Sequence, residues 1–255
     1  MNTYLRNLNR IEFVVTMACT GKCKHCSQGE VRSNDKIDKT LASEAVHKIA
    51  EEYKINSVMT FGGEPLLCHE TVCEIHKTAE NSGIPHRQLI TNGYFSKDSA
   101  TIEAVAEKLA KSGVNDLLLS VDAFHQEIIP LEYVKIFAQA VLDAGVPIRV
   151  QPAWLVSADD NNPYNIRTRE ILGEFADMGI SANEGNVVFP AGNALKYLGD
   201  YVRPMAENEN PYWEDPADIR AVCFSANGDI LGSNVYEKDI MDIIEAYKPK
   251  FTSEI

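Results

Sequence analysis

Three cysteines fall within eight positions near the start of the chain. Cys19, Cys23 and Cys26 are spaced C-x₃-C-x₂-C, in a segment otherwise made of polar or small residues: Thr20, Gly21, Lys22, Lys24 and His25. Three thiolates this close on one loop can converge on a single iron–sulfur cluster, and a set of three leaves one iron of a cubane without a protein ligand. The open position is the informative part. A structural zinc site needs a fourth Cys or His, and His25 sits next to Cys26, where its imidazole can hardly close the same tetrahedron. Cysteines that only fill a core would lie on an apolar face, and these do not. Six Cys in 255 residues are also too few for a disulfide scaffold.

A second motif, Phe61-Gly62-Gly63-Glu64-Pro65, ends an apolar run at 57–61, as the cysteine loop follows an apolar run at 11–17. Both therefore sit at the C-terminal ends of candidate strands, with helix-period residues between them. Together the two motifs resemble the radical S-adenosylmethionine (radical SAM) superfamily, over about residues 11–190. The resemblance implies a [4Fe-4S] cluster on Cys19, Cys23 and Cys26, with the amino and carboxylate groups of S-adenosyl-L-methionine on the fourth iron. It further implies reductive cleavage of that molecule to methionine and a 5′-deoxyadenosyl radical, which takes hydrogen from a small-molecule or peptide substrate. An electron donor such as a flavodoxin or ferredoxin would supply the electron.

The resemblance carries cofactor-binding positions with it. His25 stands where the family often has an aromatic residue near the adenine, and Gly62, Gly63 and Glu64 are carried over as contacts to the methionine moiety. Asn92, in Thr91-Asn92-Gly93, either faces that site or opens an ordinary loop. Ser120 and Asp122 share a face by period-2 alternation and end a strand where the family places a polar contact to the ribose. Gln151 is the candidate on the fifth strand. His125 follows the fourth strand and could reach substrate. Cys68 reads as a small core residue, and Cys73 is about 140° around the helix from it at about 100° per residue. His69, Cys73 and His76 share a helix face at i, i+4 and i+7, which reads as a solvated polar face, with a helix-surface metal site as the alternative.

Cys223 begins a segment, 223–238, that resembles the SPASM or twitch extension of radical SAM enzymes, in degenerate form because no further cysteine follows. If that segment folds over the barrel mouth, Cys223 becomes a catalytic candidate: a thiol that returns a hydrogen atom to the substrate radical, as in an epimerase. Alternative functions are an activase of a glycyl-radical enzyme, a maturase or epimerase of ribosomal peptides, and, outside catalysis, an iron–sulfur electron carrier.

These residues need elements to position them. Candidate strands at 11–17, 57–61, 88–91, 116–121, 148–156 and 186–190 alternate with helix-period stripes, and Gly83, Gly113, Gly145 and Gly179 follow four helices as left-handed caps. The expected fold is α/β: a partial, six-stranded parallel (β/α)₆ barrel of radical SAM type with a small C-terminal hairpin-plus-helix extension. Residues 1–190 form the core, and 191–255 close the barrel without being an independent domain. Within the latter, 191–216 is an extended connection, 223–231 a hairpin around Asn227-Gly228, and 236–247 a final helix.

Composition narrows the classes. With 24 Lys+Arg against 37 Asp+Glu the net charge is −13, which disfavours nucleic acid as partner. A hydrophobic content of 45% excludes wholly disordered, collagen-like and mucin-like chains. The first ten residues carry charge where a signal peptide would be apolar, and no window approaches ~18 apolar residues. No membrane partner and a cytoplasmic location are therefore expected.

Overall fold

The computed structural model describes residues 2–29, 33–204, 210 and 213–249. In chain order its elements are β1 (Arg10–Val14), α1 (Lys39–Glu52), β2 (Ser57–Phe61), α2 (His69–Asn81), β3 (His86–Thr91), α3 (Ser99–Lys111), β4 (Asp116–Ser120), α4 (Ala123–Gln126), α5 (Leu131–Asp143), β5 (Ile148–Gln151), β6 (Ala153–Trp154), α6 (Pro163–Ala176), β7 (Asn186–Val187), α7 (Asn193–Tyr197), β8 (Ala221–Phe224), β9 (Asp229–Ile230), β10 (Ser233–Asn234) and α8 (Ile240–Ala246). Helix starts follow local chemistry. Asp38 accepts from the Thr40 and Leu41 amides to begin α1, Asp98 accepts from the Thr101 amide to begin α3, and Asp122 accepts from the His125 amide to begin α4. The four capping glycines all have φ between +74° and +80°.

The central sheet has six strands in the order β5-β4-β3-β2-β1-β8, and every pairing in it is parallel. Its two edges do not pair with each other, so the barrel is partial. One face buries Ile11, Phe13, Val58, Thr60, Leu89, Leu117 and Leu119 under the helices, whose stripes Ala42/Ala45/Val46/Ile49 and Val134/Phe137/Ala138/Val141 are buried too. The other face carries Cys223, Glu12, Met59, Gln88 and Asp116 at one level of the register, and Ser120 beside Gln151 at another.

Three expectations change. The run at 148–156 is not one strand: Pro152 has no amide to donate, and after it Ala153–Trp154 leaves the central sheet to pair with Asn186–Val187. The expected sixth strand, 186–190, is thereby reduced to two residues outside the central sheet. Its place is taken at the opposite edge by β8, where Val222 and Phe224 are buried on alternate positions. Cys223 consequently lies in a parallel strand, not in a hairpin. The antiparallel pair is β9 with β10, joined through Leu231 and Gly232, both at positive φ as a type I′ turn requires. The connection 191–216 contains the short helix α7, and residues 205–209 and 211–212 within it lie outside the described residues. No helix among the described residues is long and apolar enough to cross a membrane.

Phe13 of β1 and Phe224 of β8 are both fully buried and stack at 4.6 Å between centroids. That contact ties the last central strand to the first. Phe224→Ala is expected to lower the unfolding free energy by about 3–5 kcal/mol, read from urea denaturation, and a loss well under 1 kcal/mol would mean that β8 is not integral to the sheet.

Candidate active site

The loop that leaves β1 carries Cys19, Cys23 and Cys26, and the loop that leaves β2 is bonded to it. The Gly63 amide donates to the Thr16 carbonyl at 2.8 Å, and the Glu64 amide to the Ala18 carbonyl at 2.8 Å. Both glycines face backbone at close range. A Cβ on Gly62 would lie 2.6 Å from the Thr16 oxygen, and one on Gly63 2.2 Å from the Ala18 oxygen. Gly62 also has φ +147°. The absent side chains therefore serve, first, the approach of one motif to the other.

The Glu64 carboxylate is completely buried. Oε1 accepts from the Leu66 amide at 2.9 Å and the Thr91 hydroxyl at 2.6 Å, and Oε2 accepts from the Asn92 amide at 2.9 Å. Burial pushes its carboxyl up to about 7, against the pull of those three donors and of His125. Asn92 in turn donates from Nδ2 to Thr20 Oγ1 at 3.3 Å and approaches Cys19 Sγ at 3.8 Å. The ends of β2 and β3 are thus joined to the cysteine loop through one carboxylate and one amide. Thr91 is the partner that local pattern did not single out, although it immediately precedes Asn92.

A second cluster forms where β4 ends. Asp122 is buried, and its Oδ2 lies 2.9 Å from His125 Nδ1 and 4.0 Å from His25 Nε2. The donor atoms of these three residues all fall within 4.8 Å of one another. The His25 ring rests 4.9 Å from Phe124 and 4.7 Å from His125, and its Nδ1 is buried without a partner. Burial alone would push the Asp122 carboxyl up, but His125 and His25 together hold it at about 2. Burial likewise pulls the His25 imidazole down, to about 4, despite Asp122. In His125 burial also pulls downward, yet the charge and hydrogen bond of Asp122, with Glu64 behind them, keep the imidazole above its ordinary value. The arrangement that results is an anionic carboxylate that favours the protonated form of the imidazole beside it.

The other candidates separate. Ser120 and Gln151 are level across β4 and β5, and Gln151 Oε1 accepts from Asn183 Nδ2. Cys68 stands just before α2, where its side chain makes no capping hydrogen bond, and is packed against the core, as is Cys73. The face of α2 with His69, Cys73 and His76 is not solvated: His76 is fully buried, its Nε2 2.8 Å from Thr60 Oγ1, and burial pulls its imidazole down to about 3. The helix presses that residue onto β2. Cys223, opposite Glu12 in the register, is exposed on the open face of the sheet and not over the mouth, because β8 belongs to the sheet; partial desolvation by its neighbours and the Glu12 carboxylate push its thiol up to about 12, against Arg10. Asn193, in the aperiodic stretch after residue 190, also reaches the cysteine loop, and nothing in its local spacing announces it.

A cluster on the three cysteines can be tested for fit at Gly21. A Cβ there would meet Cys23 Sγ at 3.1 Å and Cys19 Sγ at 3.8 Å, so both sulfurs border the space that the glycine leaves open. That cradle suits a compact group held by thiolates. A cavity of about 210 Å³ lined by Ala18, Cys19, Ser33 and Asn34 adjoins it.

The Asp122 cluster yields a measurable sign. In the metal-free protein, His125 is expected to titrate above the usual histidine value by NMR, and in Asp122→Asn below it, because burial then acts with only distant opposition. Titration at the same pH in both proteins would remove Asp122 as its partner.

Known proteins share this framework. The sequence model of the radical SAM superfamily matches residues 13–145. Over 124 residues, 48% of this chain and 39% of the other, the chain is 27% identical to a probable GTP 3′,8-cyclase of Methanocaldococcus jannaschii. Over 218 residues, 79% of this chain and 67% of the other, it is 25% identical to a probable GTP 3′,8-cyclase of Saccharolobus solfataricus. The match therefore spans from 39% to 67% of the length of these two curated relatives. Among solved structures, Streptococcus suis SuiB bound to S-adenosylmethionine superposes with a TM-score of 0.59 at 15% identity, over 98% of this chain and 71% of that one. The protein anSMEcpe with bound AdoMet gives 0.60 at 13% identity, over 94% and 81%. These likenesses extend the shared fold beyond the matched segment. Two loops at adjacent strand ends, an all-parallel open sheet beneath them and a family match over more than half of the sequence lead to one assignment: the chain belongs to the radical SAM superfamily.

Proposed function

We propose that Cys19, Cys23 and Cys26 hold the [4Fe-4S] cluster of this radical SAM enzyme and that the strand ends around them bind S-adenosylmethionine. The observation that carries the reading is the direct bonding of the Gly62-Gly63-Glu64 turn to the backbone that leads into Cys19. When bound, the two groups together supply a reductively generated 5′-deoxyadenosyl radical. The chain's own residues do the positioning. Gly62 and Gly63 bring the second motif against the first, Glu64 fixes the Asn92 amide, and Asn92 steadies Thr20 beside Cys19. His25, with Phe124 behind its ring, offers a flat surface and an unpartnered Nδ1 toward the nucleoside end. Asp122 orients both imidazoles, while Ser120 and Gln151 line the neighbouring strand ends on the face away from the helices.

The substrate in this reading is a polar small molecule or a peptide, and the reductant a flavodoxin or ferredoxin. Support for a polar substrate comes from the open sheet face, where Glu12, Gln88, Asp116 and Arg149 replace the branched aliphatic filling of a closed barrel. The relatives' names point to a nucleotide, and two of the solved neighbours contain peptides, so the class stays broad. Residues 1–190 would form the catalytic core, and 191–255 complete it; β8 beside β1 supports treating the latter as part of the same unit.

With dithionite, the anaerobically reconstituted protein is expected to convert S-adenosylmethionine slowly into 5′-deoxyadenosine and methionine. Glu64→Ala leaves the Leu66 and Asn92 amides and the Thr91 hydroxyl without their acceptor. It should weaken S-adenosylmethionine binding at least about tenfold, a change of about 1.4 kcal/mol, while iron content stays at the wild-type level. Binding equal to wild type would remove Glu64 from the site, and the absence of 5′-deoxyadenosine from the wild-type reaction would overturn the proposed function.

A further inference from the structure

We propose that Gly192 and Asn193 act as a clamp that presents the cysteine loop to its metal group, making cluster assembly depend on the chain beyond residue 190. The proposal rests on the reading of Cys19, Cys23 and Cys26 as cluster ligands. Two carbonyls of the loop, those of Cys23 and Cys26, are each held twice. The Cys23 oxygen accepts from the Cys26 amide at 3.2 Å and from Asn193 Nδ2 at 3.1 Å, and the Cys26 oxygen accepts from the Gly29 amide at 3.1 Å and from the Asn193 amide at 3.0 Å. One residue, 167 positions after Cys26 (193 less 26), therefore grips both ends of the turn that carries two of the three thiols.

Contact this close needs glycine. Gly192 has φ +54°, and a Cβ on it would lie 2.5 Å from the Ser27 oxygen, 2.6 Å from the Gly29 nitrogen and 2.8 Å from the Cys26 oxygen. Gly29, at φ +70°, presents its own bare Cα region to Gly192, with a would-be Cβ at 3.4 Å from the Gly192 Cα. Asn193 is almost fully buried, and its Oδ1 has no partner. A side chain kept only for volume would not retain an unsatisfied amide oxygen in that position, since an apolar residue of the same shape avoids the desolvation. The donor Nδ2 is the part with work to do. A polar loop rich in Lys and Gly has few apolar anchors of its own, so bonds to its carbonyls are what hold thiolates on converging paths. Asn193 is thus a positioning residue that acts through the backbone of Cys23 and Cys26.

Two variants separate this role from plain packing. Asn193→Leu keeps the branched shape and buries no charge, but it has no donor for the Cys23 carbonyl; Gly192→Ala inserts a methyl between Ser27 and Gly29. In the metal-free wild type, hydrogen exchange of peptides covering residues 20–29 gives the baseline, and both variants should exchange there about tenfold faster with an unchanged thermal midpoint, as a local opening predicts. After anaerobic reconstitution both should hold less than half the wild-type iron per chain, and the reduced protein should show an altered electron paramagnetic resonance signal. Wild-type exchange, iron content and spectrum in Asn193→Leu would overturn the clamp. Failure of the wild type itself to take up iron would overturn the cysteine-ligand reading, and the proposal with it, and is told apart because it occurs without any substitution.

Discussion

Gly63 lies so near Ala18 that one added methyl group would sit 2.2 Å from a carbonyl oxygen. No side-chain adjustment relieves a clash between two stretches of backbone, so this approach constrains everything around it. It places the end of β2 directly against the exit of β1, and the two short bonds from the Gly63 and Glu64 amides keep it there. From that junction the buried Glu64 carboxylate reaches across to the end of β3, and Asn92 reaches back to the cysteine loop. The result is a closed circuit of hydrogen bonds around a loop that has little hydrophobic anchoring of its own.

The sheet beneath supplies rigidity by ordinary means. Branched and aromatic side chains fill the space between its covered face and the helices, and β3, β4 and β5 each end in a polar residue, Thr91, Ser120 and Gln151, where loops are free to vary. The open face differs. Asp116 takes both Arg149 and Gln88 at 2.6 Å, and Arg10 pairs with Glu12, so charges there are matched in place before any ligand arrives. The same economy governs the buried charge at Asp122, which is tolerable because two imidazoles face it.

What the sequence disclosed followed from short-range rules. The C-x₃-C-x₂-C spacing, the Gly-Gly-Glu-Pro turn and the capping glycines are local signals, and the parallel six-stranded architecture followed from their alternation with helical stripes. The misplaced elements were decided by distant partners. Residues 186–190 have the composition of a central strand, but Pro152 diverts the preceding strand toward them and both leave the sheet. Ala221–Phe224 resembles the first arm of a hairpin because Asn227-Gly228 follows it, yet its alternate buried positions, Val222 and Phe224, match the core beside Phe13. His76 shows the same limit on a helix: three polar residues at helical spacing suggest a wet face, and only the presence of Thr60 on the neighbouring strand makes one of them an interior hydrogen-bonding group. Asn193 could not be found locally at all, since its partners lie at the other end of the chain.

The central claim is that the three cysteines leave one iron open and that the adjoining strand ends place S-adenosylmethionine upon it. Electron–nuclear double resonance of the dithionite-reduced, reconstituted protein with S-adenosylmethionine carrying ¹⁵N at its amino group tests this most directly. A hyperfine coupling between the cluster spin and the labelled nitrogen is the predicted result, and a reduced cluster whose spectrum shows no coupling to the bound label would contradict the account.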